Sequence, residues 1–263
     1  MTSPALQIDI DNYVATLQIS RPQVFNALNA ELMNDIESEV RQFQTNPAVR
    51  AIVITGSGYK SFSAGADLGE LAGLDQHAAQ KYMQSGQRTM RTIEQSTVPV
   101  IAAVNGLALG GGFELVLAST FAVLSTNASL GLPEAGLGLI PGYGGTQRLT
   151  RRVGAGVARF AMLTGRRIEA HRAYELGLAA IPPVEPSELQ SVTSEIAISI
   201  SERGPRAVEA ILRAVDMGRD APIDSALALE TILAATAIYG DESAEGIRAF
   251  NERRTPNFAD IKS

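Results

Sequence analysis

Two glutamates stand almost alone in the least charged part of the chain. Charged residues make up 19% of the sequence, yet residues 95–147 contain only Glu114 and Glu134. Phe113 precedes Glu114 and Leu115-Val116-Leu117 follows it, so a helix here offers the glutamate no polar face. We therefore expect Glu114 to be buried or to line a cleft, where burial raises the pKa of a carboxyl group toward values that suit proton transfer.

Two carboxylates that converge on one apolar cavity can hold a water molecule between them. One then acts as a base and the other as an acid, which suits the addition or elimination of water. Next to a carbonyl group, this chemistry also needs backbone N–H groups that stabilise the developing enolate oxygen. Gly110-Gly111-Gly112 at the start of a helix can present one such N–H, and Gly65 allows the turn that presents another at Ala66.

Simpler interpretations of these residues stay open on this evidence. Glu134 follows Pro133 at a predicted helix start, where a glutamate also serves as a cap, and an arginine is an alternative partner for either carboxylate. Each glycine group, taken singly, is typical of an ordinary tight turn. The hypothesis of a hydration site rests on the combination of glutamates and glycines.

Other catalytic patterns fail on residue identity. A dinucleotide-binding G-x-G-x-x-G motif beginning at Gly110 needs glycine at position 115, which is Leu115. The sequence has no phosphate-binding loop, no G-x-S-x-G motif and no cysteine, which excludes cysteine nucleophiles, thiolate zinc sites and iron–sulfur clusters. His77 and His171 both fall in predicted amphipathic helices, as surface histidines commonly do.

The composition argues against charged partners. The 263 residues carry a net charge of −6, and only Lys60, Lys81 and Lys262 are lysines, so we expect no binding to nucleic acid or to an anionic membrane. The N-terminal residues lack the pattern of a signal peptide, and the most apolar stretch, residues 98–112, is too short for a membrane span. We expect a cytoplasmic protein with no membrane partner.

The elements that must position the glutamates alternate between strand and helix. Apolar and polar residues alternate over residues 6–10 and 14–19, which predicts a hairpin. Helical spacing follows Asn29 and ends before Pro47, and β-branched residues at 49–55 predict a strand. Later segments continue this pattern, with predicted helices at 76–94, 113–118, 152–164 and 169–176, predicted strands at 98–104 and 179–184, a loop at 61–67 and only helices beyond 201.

Six segments that contain the glutamates and glycines form a specific set. They are RPQVFNAL at 21–28, FSAGADL at 62–68, VNGLALGGGFEL at 104–115, LPE at 132–134, IPGYGGTQRL at 140–149 and FNERRTPNF at 250–258. With this set the chain resembles the enoyl-CoA hydratase/isomerase family, the crotonases. The resemblance implies an α/β fold, a crotonase-like spiral of ββα units with a C-terminal helical trimerisation region. Residues 1–200 are expected to form the core with the acyl-CoA site, and residues 201–263 the oligomerisation region of a homotrimer or homohexamer.

The resemblance also implies a role for each site residue. The backbone N–H groups of Ala66 and Gly111 form the oxyanion hole, Glu114 works with the attacking water, and Glu134 delivers a proton to Cα. Coenzyme A is part of the substrate, so no separate cofactor and no metal are expected. The residues implied in binding it are Val24, Ala27, Ala64, Gly65, Ala66, Asp67, Leu68, Gly111 and Arg253, the last reaching the phosphates, in some members from a neighbouring subunit.

Enoyl-CoA hydratase activity is the first hypothesis, because both glutamates are present. The alternatives are enoyl-CoA isomerisation, hydration of a branched or dicarboxylic acyl-CoA such as methylglutaconyl-CoA, or an RNA-binding or scaffolding role. Two positions depart from the common family pattern. Gly69 stands where many hydratases have a lysine that contacts coenzyme A, and Phe113 stands where a smaller residue is common, which predicts a narrower acyl pocket.

Overall fold

A five-stranded sheet is the largest element of the structure, a computed structural model that describes residues 4–258. β1 (Leu6–Asp11) and β2 (Val14–Ile19) form the predicted antiparallel hairpin. β3 (Ala51–Gly56), β5 (Val100–Val104) and β7 (Phe121–Leu124) extend the hairpin as parallel strands in the order β1-β2-β3-β5-β7. The β-branched runs at 49–55 and 98–104 therefore became central strands, as their composition predicts.

Four short strands form a second sheet in the order β4-β6-β8-β9. They are β4 (Ser61–Ser63), β6 (Leu107–Leu109), β8 (Ser129–Gly131) and β9 (Ile168–Glu169). β3 leads directly into β4, β5 into β6 and β7 into β8, and helices follow each of these pairs. This repetition of strand, strand and helix confirms the predicted spiral of ββα units.

Helices cover both faces of the large sheet. α1 (Ala30–Phe43), α3 (Gln76–Glu94) and α4 (Gly111–Ala118) contribute to the main core, and the Asn29 side chain caps α1 by accepting from the N–H of Leu32 at 3.1 Å. α7 (Leu189–Ser201) packs on the opposite face, where Ala197 lies among Val53 and Ile101. The short α2 (Leu68–Leu71) begins directly after the loop 64–67.

The C-terminal helices leave large apolar side chains exposed. α5 (Gly145–Thr164) and α6 (Ala170–Glu175) precede α7, and α8 (Pro205–Gly218), α9 (Ile223–Tyr239) and α10 (Asp241–Glu252) follow it. α8 and α9 pack on each other, yet neither contains a buried residue. The exposed apolar residues of these three helices include Ile211, Val215, Ile232, Ile238, Tyr239 and Phe250.

No single helix within residues 4–258 is long and apolar enough to span a bilayer. α9 and α10 reach that length and composition only when they are taken together, across a 64° bend.

Some predicted elements were wrong. Residues 179–184 do not form a strand, because Pro182 and Pro183 interrupt the backbone donors, and only Val184 forms an isolated bridge, with Ser125. The predicted loop at 61–67 contains β4, and α5 begins at Gly145 rather than at 152. α7 was not predicted, because its mixed pattern reflects its position on a sheet face.

Candidate active site

A cavity of about 870 Å³ lies between the loop 64–67, the N-terminus of α4 and the loop before α5. Most of the residues expected from the sequence line this cavity. They are Ala27, Ala64, Gly65, Ala66, Asp67, Leu68, Gly111, Glu114 and Glu134. The fold thus brings to one place residues from four separate parts of the chain.

The loop 64–67 is fixed by its neighbours along the chain and in space. It is held against residues 25–28 by three backbone hydrogen bonds of 2.8–2.9 Å, from Ala64 N to Phe25 O, from Leu28 N to Gly65 O and from Asp67 N to Leu28 O. The Asp67 carboxylate caps α2 and pairs with Arg21 at 3.1 Å. These contacts hold the peptide unit of Ala66 in place.

Glycines bring the two expected oxyanion-binding amides close together. Gly65 has φ +102°, and a Cβ on it would lie 2.7 Å from the carbonyl oxygen of Leu109 and 3.3 Å from the amide nitrogen of Gly111. Gly111 is the first residue of α4, where an N–H has no intrahelical partner. Within the described residues, the N–H groups of Ala66 and Gly111 donate no hydrogen bond. Both are available to an oxygen atom in the cavity.

Glu114 lies on α4, is 2% exposed, and is held by the loop before α5. Its Oε1 accepts hydrogen bonds from the N–H of Tyr143 at 2.8 Å and of Gly145 at 2.6 Å. Burial raises the pKa of Glu114 to about 7, and the negative charge of Glu134 adds to this rise, while the two N–H donors and the charge of Arg148 oppose it.

Glu134 begins a short 3-10 helix, residues 134–137, and also lines the cavity. Burial raises its pKa as well. Its Oε2 is buried, with no hydrogen-bond partner within the described residues, so the protonated form is favoured at this oxygen. A neutral carboxylic acid at this position has a proton to donate into the cavity.

The two carboxyl groups form a coupled pair. Two N–H donors stabilise the charged form of Glu114 against its burial, whereas in the described part of the chain Glu134 accepts only from its own backbone N–H. A site with one base, one acid and two free N–H groups can move a proton on each side of a polarised double bond.

Two residues expected from the resemblance do not line this cavity. Val24 lies in the 3-10 helix Pro22–Val24 and is 38% exposed, and Arg253 is exposed at the end of α10. Their part in coenzyme A binding stays a prediction. Within the described residues, no group of three or more His, Asp or Glu side chains is arranged to hold a metal ion.

Phe113 does not narrow the pocket, so that prediction was wrong. Its side chain is fully buried in the main core, because successive residues of α4 point in different directions and Glu114 alone of the two faces the cavity. Tyr143, which the sequence analysis did not single out, fills this space. Its ring lies against Gly86 of α3 and within 3.1 Å of where a Cβ on Gly111 would be. The ring centres of Tyr143 and Tyr82 lie 6.3 Å apart.

Comparison with known proteins gives one consistent family. The family model for enoyl-CoA hydratase/isomerase matches residues 9–261. Crotonyl-CoA hydratase of Syntrophomonas wolfei is 40% identical over 251 residues, covering 95% of this chain and 96% of that protein, and short-chain-enoyl-CoA hydratase of Clostridium acetobutylicum is 38% identical, with 94% of each chain covered. The crystal structure of enoyl-CoA hydratase from Bacillus anthracis superposes with a TM-score of 0.93 at 37% identity, covering 97% of this chain and 99% of that one.

Proposed function

This chain belongs to the enoyl-CoA hydratase/isomerase family, and on that premise we propose that it is a hydro-lyase that adds water to trans-2-enoyl-CoA and forms 3-hydroxyacyl-CoA. The observation that carries the proposal is a pair of carboxylates, the buried Glu114 and the half-buried Glu134, in one cavity with two free backbone N–H groups. An isomerase needs only one group to move a proton between carbons, so two retained acids favour hydration.

The geometry supports a role for each group in the reaction. The thioester oxygen accepts hydrogen bonds from the N–H groups of Ala66 and Gly111, which stabilise the negative charge that develops on it. Glu114 takes a proton from the water molecule as the water oxygen bonds to Cβ, and Glu134 gives its proton to Cα. The product leaves Glu114 protonated and Glu134 charged, and the transfer of one proton between them restores the starting state.

Coenzyme A binding is proposed at the mouth of the same cavity. Residues 24–27 and 64–68 flank the amide pair, and none of the described residues that line the cavity is a lysine or an arginine that would hold a free carboxylate instead. Arg253 would then contact the phosphates from a neighbouring subunit of a homotrimer or homohexamer. We further propose a cytoplasmic enzyme of fatty acid metabolism, without a separate cofactor.

Tyr143 supports a preference for short acyl chains. Its ring occupies the space between Gly86 and Gly111, next to the Glu114 carboxylate that the Tyr143 N–H binds. A longer acyl chain would have to pass through this space. The names of the two relatives, crotonyl-CoA hydratase and short-chain-enoyl-CoA hydratase, agree with this proposal. Dodecenoyl-CoA is therefore expected to be a poorer substrate than crotonyl-CoA.

Hydration of crotonyl-CoA, followed by the loss of absorbance of its conjugated double bond, tests the proposed activity. General acids and bases contribute typically ~10²–10⁴-fold, so Glu114→Gln and Glu134→Gln should each lower kcat by at least about 100-fold with little change in KM. The double variant should be much less impaired than the product of the two effects, because hydration needs both proton transfers and the loss of either one already removes most of the activity. Near wild-type turnover in a folded Glu114→Gln protein would instead support an isomerase, which a 3-enoyl-CoA substrate would reveal.

The same assay with acyl chains of four to twelve carbons tests the role of Tyr143. Tyr143→Ala should raise kcat/KM for dodecenoyl-CoA relative to crotonyl-CoA by about tenfold or more. Tyr143→Phe keeps the ring and loses only the hydroxyl, so it should keep the short-chain preference. If the wild-type protein hydrates all lengths equally well, the short-chain proposal is wrong while hydration stands.

A further inference from the structure

We propose that Glu94 and Arg148 form a positioning pair that orients the loop holding Glu114, and that Arg219 of the C-terminal region completes it. The pair lies outside the cavity and touches no substrate. The inference rests on the function proposed above, because it concerns the group that we assign as the base.

Glu94, the last residue of α3, is bound by three arginines. Its side chain is 7% exposed, and its carboxylate lies 2.8 Å from Arg91, 2.9 Å from Arg148 and 2.7 Å from Arg219. These guanidinium groups hold the pKa of Glu94 near 2 in spite of burial. So many charge-assisted hydrogen bonds hold the Glu94 carboxylate in one position, since movement away from a partner leaves buried charge uncompensated.

Arg148 connects the Glu94 carboxylate to the loop before α5, which holds Glu114. Its Nε and Nη2 bind the two oxygens of Glu94 at 3.2 and 2.9 Å, which fixes the plane of the guanidinium group. Its Nη1 then donates to the carbonyl oxygen of Tyr143 at 2.8 Å. Gly144 makes this contact accessible, because it has φ +110° and a Cβ on it would collide with Nη1.

The carbonyl of Tyr143 belongs to the middle one of three consecutive peptide units. The unit before it carries the N–H of Tyr143 and the unit after it carries the N–H of Gly145, and both donate to the same oxygen of Glu114. The middle carbonyl faces the guanidinium group instead. Arg148 thus fixes the orientation of the unit on which both donors to Glu114 depend.

α8 reaches the same carboxylate through Arg219 at its C-terminal end, at 2.7 Å from Glu94 Oε1. This contact joins the otherwise exposed helical region to the active-site loop within a single chain. Changes in the position of α8 are therefore expected to reach Glu114 through Glu94, Arg148 and the Tyr143 peptide.

A purely electrostatic role for Glu94 and a positioning role predict opposite shifts in the pKa of Glu114 when Glu94 is replaced. The charged groups that act on Glu114 are Glu134 and Arg148, with the Tyr143 phenol close by. Removal of the negative charge of Glu94 would, by charge alone, lower the pKa of Glu114. Loss of the two N–H bonds to Glu114 would raise it, because these donors stabilise its charged form.

The experiment follows the pKa of Glu114 directly in Glu94→Gln. The chain has six tyrosines, so ¹⁵N-tyrosine labelling gives a simple amide spectrum in which Tyr143→Phe identifies the signal of Tyr143. The pH midpoint of this signal should move up by about one unit in Glu94→Gln, and the acid limb of kcat/KM for crotonyl-CoA should move with it while KM changes little. Arg219→Gln should shift both in the same direction by less.

Arg91→Gln is the matched control, because Arg91 binds the same carboxylate from within α3, is 53% exposed, and unlike Arg148 and Arg219 connects Glu94 to no other element within residues 4–258. It should leave the midpoint unchanged.

A midpoint that falls or stays in folded Glu94→Gln overturns the proposal. If Glu94→Gln does not fold, Arg148→Lys replaces it. A lysine keeps the charge but cannot bind Glu94 and the Tyr143 carbonyl together. An unchanged midpoint in Arg148→Lys would also overturn the proposal. Absence of any hydration by the wild-type protein would reject the proposed function while the amide titration still tests the positioning pair.

Discussion

At the scale of single residues, the site depends on an unequal environment for two equal side chains. Glu114 is buried and accepts two backbone hydrogen bonds from the loop before α5, whereas Glu134 is half-buried, accepts only from its own backbone N–H, and has one oxygen with no partner within the described residues. The environment rather than the residue type therefore decides which one acts as the base.

This inequality predicts the pH dependence of the reaction. Because Glu114 must be charged and Glu134 protonated, and burial raises both pKa values, kcat/KM should follow a bell whose two limbs belong to the pair. In Glu134→Gln, the residual activity should keep the acid limb and lose the alkaline limb, since the acid that titrates there is gone. A pH–rate series from 5 to 10 measures both limbs, and an alkaline limb that persists in folded Glu134→Gln would show that Glu134 is not the acid.

Glu114 could be predicted from the sequence because a lone charge in an apolar helix has few structural explanations. Arg148 and Tyr143 could not, although the segment that contains them was conspicuous. The function of Arg148 depends on one carbonyl and one distant carboxylate, and neither contact leaves a periodic signal. Phe113 was expected near the substrate because it is next to Glu114 in the sequence. Successive residues of a helix point in different directions, and the Phe113 side chain lies in the core.

At the scale of elements, the oxyanion site is made by close approach of two loops. A Cβ on Gly65 would press on the backbone of Leu109, which cannot yield as a flexible side chain would. Most of the ββα order was predictable, because strands and helices have different periods. The segment 179–184 was predicted wrongly as a strand, because its apolar run was given more weight than Pro182 and Pro183, which remove backbone donors that a strand needs.

Gly65→Ala should separate the Ala66 and Gly111 amides. We expect kcat for crotonyl-CoA to fall ~10²–10³-fold, as when an oxyanion donor is lost, while the protein stays folded. Gly73→Ala is the control, because Gly73 also has a positive φ, of +78°, but open space around its Cβ. It should cost some stability by backbone strain and leave kcat unaltered. Similar activities for the two variants would contradict the assigned role of this loop.

At the scale of the whole molecule, the C-terminal helices have an apolar surface that a single chain does not cover. Side chains such as Ile232, 65% exposed, and Phe250, 83% exposed, favour association with further copies. The sequence predicted these helices but could not identify the faces that meet, because periodicity does not distinguish a partner helix of the same chain from one of another.

Light scattering should therefore find a trimer or hexamer at micromolar concentration. Ile232→Asp, which adds charge to α9, should dissociate it and lower specific activity on dilution. Tyr59→Asp serves as the control, because Tyr59 is 70% exposed on a loop far from these helices along the chain. A fully active wild-type monomer would remove the basis for Arg253 acting across subunits.

The contact of Tyr143 with Gly86 restricts the order in which this pocket can change over evolution. A methyl group at position 86 collides with the ring, so Gly86→Ala alone should displace Tyr143, disturb the N–H that holds Glu114 and lower crotonyl-CoA turnover. In a Tyr143→Ala background the same substitution no longer meets the ring and should be harmless or stabilising. The four variants form a cycle in which one mutation changes the sign of its effect with the other present. Descendants with wider pockets are then expected to have lost the ring first and gained a side chain on α3 afterwards, because the opposite order passes through an impaired enzyme.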